Sequence, residues 1–188
     1  MRKLRTIEMK RLTVEEFRKA DKLPLVVVLD DVRSMHNVGS VLRTADAFRV
    51  ERVLLCGITG VPPHAEIHKT ALGAEDSVEW HYYASALEAV EALKAEGYAV
   101  LSVEQAEGSV MLPELRLEKG IRYAIVLGNE VKGVHQEVVD ASTGCVEIPQ
   151  EGTKHSLNVS VAAGIVMWKA FSELRTGECK KKTESYRG

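Results

Sequence analysis

Two apolar rhythms alternate along most of this chain. Unbroken apolar runs at residues 25–30 (LVVVLD), 52–57 (RVLLCG), 98–104 (YAVLSVE) and 123–130 (YAIVLGNE) read as strands buried on both faces. SVEWHYY and CVEIP add two further strand candidates. Between them lie stretches of helical spacing. TVEEFRKA is a short helix with Thr13 and Glu16 as a capping box. In HNVGSVLRTADAF, Val38, Val41, Leu42, Ala45 and Phe48 form one apolar arc at 100° per residue, which predicts a helix over 37–48. SALEAVEALKAEG has Ser85 and Glu88 at its start, Leu87, Val90 and Leu93 facing in, and Gly97 to close it. A short helix is expected near 135–141, and SLNVSVAAGIVMWKAF, apolar nearly all round, predicts a buried last helix. Residues 58–78 read as a long loop with a helical turn in it.

Strands alternating with helices specify an α/β fold, a mostly parallel sheet flanked by helices. In such sheets ligands sit off the carboxyl ends of the strands. The polar clusters DDVRSMHN, EQAEG, GNEVKG and PQEGTKHS all follow strands at those ends.

The totals narrow the class. A length of 188 residues suits one globular domain. No apolar run approaches the roughly 20 residues of a membrane span, and the N-terminus lacks the apolar stretch of a secretory signal. Cys56, Cys145 and Cys179 are odd in number and far apart, which argues against a disulfide framework and a zinc site and for a reducing cytoplasm. Net charge is −2, yet the ends are basic: residues 1–22 carry eight Lys and Arg, and the tail has Lys180–Lys182. Such ends either hold a polyanion or are solvated. Neither G-x-G-x-x-G nor G-x-x-x-x-G-K-[ST] is present, so a Rossmann dinucleotide loop and a P-loop are excluded, and no G-x-S-x-G marks a hydrolase. HAEIH places His64 and His68 four apart, but its Glu is one position off for a zinc helix. No metal is expected.

Three stretches carry candidate chemistry. On helix 37–48, Asn37, Ser40, Arg43 and Thr44 form a polar stripe opposite the apolar arc. Taken alone, Asn37 is an N-cap and Arg43 a surface charge. In VLGNEVKG, Gly128 permits close approach to the backbone, and Asn129 and Glu130 belong either to a site or to a turn with a solvated carboxylate. In IPQEGTKHSLNVSVAAG, Ser156 serves as an N-cap, whereas Asn158, two residues into a buried helix, needs hydrogen-bond partners that a function would supply.

Together and in this order, NVGSVLRTADAF, IVLGNEVKGV and IPQEGTKHSLNVSVAAGI resemble the three signature motifs of the SpoU/TrmH-type RNA 2′-O-ribose methyltransferases of the SPOUT superfamily. The resemblance runs from about residue 25 to 171, and SLNVSVA is its most specific part. It implies a deep C-terminal trefoil knot, a feature that general topology rules treat as a rare exception. It further implies one SPOUT-type methyltransferase domain over 25–174, with a basic extension over 1–24 and a basic tail over 175–188. The cofactor implied is S-adenosylmethionine (SAM), held bent by the knot region at Leu127, Gly128, Ile148 and Leu157, with Val103 on the adenine side. Ile148 and Leu157 are suited to sandwich a purine. The family is dimeric, with the active site formed across the interface and RNA, tRNA or rRNA, as partner. By motif position the catalytic set is Arg43, Asn37, Glu130, Ser156 and Asn158. A guanidinium, with a pKa above about 12, is a poor base, but its fork fits a phosphate that orients the ribose hydroxyl. Many relatives carry a separate N-terminal RNA-binding domain, and the 24 residues ahead of the first strand are too few for one. The competing readings are a catalytically silent SAM- or RNA-binding homologue acting in RNA assembly or regulation, and a methyltransferase for a small molecule.

Overall fold

The computed structural model of the chain describes residues 2–9 and 11–175. Seven strands form one parallel sheet: β1 (Leu23–Asp30), β2 (Val50–Cys56), β3 (Glu79–Tyr83), β4 (Ala99–Val103), β5 (Val110–Met111), β6 (Tyr123–Leu127) and β7 (Gly144–Glu147). Their order across the sheet is β3-β2-β1-β6-β4-β7-β5. The first three strands step outward to one edge and the others lie on the far side of β1. The order therefore reverses beside β1, which in a parallel sheet opens a crevice at the carboxyl ends.

β1, β6 and most of β2 are buried on both faces, as their unbroken apolar runs require, whereas β4 is not: Val100 and Ser102 are buried, and Ala99, Leu101 and Val103 are only partly covered near the far side of the sheet. Leu25, Val27 and Leu29 of β1 point to one side, where α1 (Val14–Lys19), α2 (Met35–Phe48), α3 (Ala65–Ala71), α4 (Ala74–Ser77) and α7 (Val159–Leu174) pack. Val26 and Val28 point to the other, against α5 (Ala86–Ala95) and α6 (Gln136–Ala141). Thr13 and Glu16 do form a capping box. Phe17 of α1 enters the core, and Arg18 donates to the Asp76 carbonyl at 2.6 Å, so the basic N-terminal stretch is packed onto the body at α1.

Several local expectations need correction. Residues 58–78 contain two helices, α3 and α4, rather than one helical turn. Ser34, not Asn37, caps α2 by accepting from the Asn37 amide. Asn158, not Ser156, caps α7 by accepting from the Ser160 amide, so it stands at the exposed helix start and not inside it. The last helix is buried on one side only. Val159, Ala163, Val166, Met167 and Ala170 face the core, whereas Val161, Ile165 and Trp168 are 51, 37 and 56% exposed. Their spacing of i, i+4, i+7 makes one apolar stripe open to solvent. The basic tail expected over 175–188 lies, from residue 176 on, outside the described residues.

Candidate active-site cleft

A cleft of about 450 Å³ opens at the carboxyl ends of β4, β6 and β7, a volume in the usual range for small-molecule sites. All five residues assigned to the cofactor line it: Val103 from the end of β4, Leu127 and Gly128 from the end of β6, and Ile148 and Leu157 from the segment between β7 and α7. Glu130, Ser156 and Asn158 line it as well. Leu157 is 38% exposed, an apolar side chain left uncovered beside Ile148 and suited to a flat base. The residues fit a nucleoside cofactor.

The wall after β6 is a tight loop over 128–134. Asn129 and Gly133 bond each other's backbone at 3.0 and 2.9 Å. Buried Asn129 donates to the Asp31 carbonyl at 2.7 Å and accepts from the amides of Val131 and Lys132 at 2.9 and 3.1 Å, so its role is to hold the loop. Gly128 has a different reason from the one its sequence offers. A Cβ there would lie 2.0 Å from the Gly133 carbonyl carbon and 2.1 Å from the Val134 nitrogen, so the missing side chain makes room for the loop's own backbone. His135 ends the loop. Its amide and its Nδ1 both lie 2.9 Å from the buried Asp30 carboxylate, which anchors the loop to β1. This contact holds the imidazole pKa above its usual value, and Asp31 and Glu137 add to the effect against the opposing influence of burial.

Glu130 stands exposed at a turn but is not a free carboxylate. It accepts from the amides of Arg33 and Ser34 at 3.1 and 3.0 Å and from Asn37 Nδ2 at 3.0 Å. Burial favours its neutral form, but these donors win and hold the pKa below the usual carboxylate value. Asn37 Oδ1 in turn accepts from Asn158 Nδ2 at 3.1 Å. Asn158 Oδ1 accepts from the Ser160 amide and hydroxyl at 2.9 and 2.6 Å. One polar chain, Glu130–Asn37–Asn158–Ser160, thus joins residues drawn from all three motif stretches.

Two assigned residues stand outside that chain. Ser156 lines the cleft without a side-chain bond among the described residues. Arg43 is exposed on α2, outside the cleft, six residues and about 9 Å along the helix axis from Asn37. Its guanidinium makes no hydrogen bond or ion pair among the described residues.

Sequence reasoning missed Glu104 and Gln105, which also line the cleft. The EQAEG cluster after a strand was the available signal, but nothing in it separates these two from a polar turn. The histidines of HAEIH are engaged elsewhere: His64 caps α3, and His68 pairs with Glu75 at 2.5 Å.

Residues 24–168 match the SpoU rRNA Methylase family model. The chain is 33% identical over 158 residues to a Staphylococcus saprophyticus protein named for the TrmH family of tRNA/rRNA methyltransferases, a match covering 84% of this chain and 62% of that one. It is 35% identical over 155 residues to the 23S rRNA (guanosine-2′-O-)-methyltransferase RlmB of Nitrosomonas europaea, covering 81% of this chain and 58% of the relative. The chain therefore spans less than two thirds of the length of these curated relatives. The AdoMet-bound rRNA methyltransferase of Sinorhizobium meliloti superposes with a TM-score of 0.74 at 28% identity, over 82% of this chain and 59% of that one. The A. aeolicus TrmH/SpoU tRNA modifying enzyme shares the fold with a TM-score of 0.75 at 24% identity, over 92 and 85% of the two chains. With a family model matched across most of its length and a relative 33% identical over 84% of it, this chain belongs to the SpoU rRNA methylase family.

Proposed function

We propose that this chain is a SAM-dependent RNA methyltransferase that modifies the ribose 2′-hydroxyl of a tRNA or rRNA nucleotide. The observation that carries the reading is the Glu130–Asn37–Asn158 chain, set beside a cleft whose lining includes every residue assigned to the cofactor. The names of the relatives above support RNA as the substrate class.

SAM, when bound, supplies a methyl group on a positively charged sulfur, ready for in-line displacement by an oxygen. The protein's task is then positioning, which is worth several kcal/mol and about 7 or more in good cases. Ile148 and Leu157 grip the base of the cofactor. Glu130, Asn37 and Asn158 fix the loop over 128–134 against the starts of α2 and α7. Arg43 presents its fork to a backbone phosphate and so orients the ribose hydroxyl.

Arg43 is exposed and unpaired while the cleft lies elsewhere, an arrangement that supports a site shared between two copies. The open stripe of Val161, Ile165 and Trp168 on α7 supplies the apolar surface for such a homodimer, with Trp168 stacked on Phe171. The chain, in this reading, is one methyltransferase domain over 25–174, threaded as the trefoil knot its family implies. The basic segments 1–24 and 175–188 help to hold the RNA. The enzyme works in the cytoplasm. The cysteine usage supports this, and no helix among the described residues is long and apolar enough to cross a membrane.

Nucleoside mass spectrometry of purified tRNA and rRNA tests the reading in cells with and without the gene. One 2′-O-methylated nucleoside is expected to disappear from one of the two pools and to return on complementation. Identical profiles from both strains would contradict it.

A further inference from the structure

Glu104 is a carboxylate in the cleft without a cationic partner among the described residues. It directly follows β4, where its own amide donates to the Val146 carbonyl at 3.1 Å. Its Oε1 accepts from the Gln105 amide at 2.9 Å and its Oε2 from the Val134 amide at 3.0 Å. Gly133 makes the second contact possible. It has a φ of +70°, and a Cβ on it would lie 2.1 Å from Oε2, so any side chain would push the carboxylate away.

An ionised carboxylate has about four acceptor positions. Two protein donors use half of them at Glu104, whereas Glu130 takes three donors from one neighbouring segment. The remaining acceptor positions belong to a half-buried carboxylate that lines the cleft, where the hydroxyls of a polar ligand can reach them. Val103, its chain neighbour, and the apolar Leu127, Ile148 and Leu157 form the wall suited to adenine. The group joined to adenine in a nucleoside cofactor is the ribose, whose two hydroxyls are adjacent donors. Acidic side chains at strand ends meet ribose hydroxyls in the same way in dinucleotide sites.

We infer that Glu104 is a cofactor-binding residue whose carboxylate accepts hydrogen bonds from the ribose hydroxyls of the bound nucleoside, with Gly133 keeping the approach open. The inference rests on the reading of this cleft as a SAM site.

Calorimetric binding tests it without turnover. The probes are S-adenosylhomocysteine, 5′-methylthioadenosine and 2′-deoxy-5′-methylthioadenosine, measured on wild type, Glu104→Gln and Gln105→Ala. Wild type is expected to prefer the ribose compound over its deoxy analogue by about tenfold or more, the usual strength of a hydrogen bond to a charged group. Glu104→Gln, which keeps an amide oxygen for the Val134 amide, brings that ratio close to one. It also weakens S-adenosylhomocysteine and 5′-methylthioadenosine by at least that factor, because the bond from the 3′-hydroxyl is lost as well. Gln105→Ala keeps the ratio, since it leaves the carboxylate in place. A ratio unchanged in Glu104→Gln would overturn the inference. So would a loss confined to S-adenosylhomocysteine, which would assign the carboxylate to the cofactor's ammonium group. Wild type that binds none of the three probes would instead overturn the SAM reading itself, a distinct failure.

Discussion

Asn158 works in two directions at once. Its oxygen caps α7, and its amide nitrogen reaches Asn37 on α2. The two roles separate in Asn158→Ser, because serine caps a helix about as well as asparagine but cannot reach across. Stability is expected to change by no more than about 0.5 kcal/mol. Methyl transfer should fall by roughly 10- to 100-fold, the scale of a small misplacement of reacting groups. Thermal unfolding and initial rates check the pair, and wild-type turnover would refute the positioning role. His135 gives a pH signature. Its pKa is raised by the bond to Asp30, so protonated His135 adds stability that is complete below the unfolded value of about 6.5. That stability is lost as pH rises through the higher folded value. Melting temperature should therefore decline, as pH rises above the unfolded value of about 6.5, more steeply in wild type than in His135→Gln. Parallel profiles would show that the Asp30 contact adds nothing.

At the scale of elements, α2 is the hub. Its N-terminus binds Glu130, one face packs on the sheet, and Gly39 brings it against α3. A Cβ on Gly39 would lie 2.1 Å from Thr70 Oγ1 and 2.4 Å from the Ile67 carbonyl oxygen. The hydroxyl can rotate, but the backbone oxygen cannot. Gly39→Ala gains up to about 1 kcal/mol in helix propensity. The clash should outweigh it, for a net loss of about 1–3 kcal/mol in a denaturant melt. A variant as stable as wild type would mean that the α2–α3 contact is slack. Six of the seven strands and α2, α5 and α7 were legible in the sequence from apolar runs and helical spacing, whereas β5, two exposed residues long, offered no such run. The helices α3 and α4 were not legible, because each is too short to show a full apolar stripe. Asn37, Glu130 and Asn158 stood out as residue types in a motif. Their mutual bonds did not, since they join positions 93 and 121 residues apart. Glu104 was hidden for the same reason: its meaning depends on a glycine 29 residues later that folding brings beneath its carboxylate.

Across the whole molecule, the cleft and Arg43 face different surroundings, and the α7 stripe lies open. Both facts fit two copies that complete each other's sites. Val161→Lys with Ile165→Lys places charge on that stripe at exposed positions, so the subunit core is left intact. Sedimentation should show the wild type as a dimer and the double variant as a monomer that has lost methyl transfer. A fully active monomer would place the whole site in one subunit.

The most direct measurement uses purified protein, SAM labelled on its methyl group, and RNA from cells lacking the gene, followed by alkaline hydrolysis. A methyl on the 2′-oxygen blocks cleavage of the adjacent phosphodiester. Label is predicted in alkali-resistant dinucleotides, from tRNA or from rRNA once the two are separated. Label found only in mononucleotides would mean methylation of a base and would contradict the ribose chemistry assigned to this cleft.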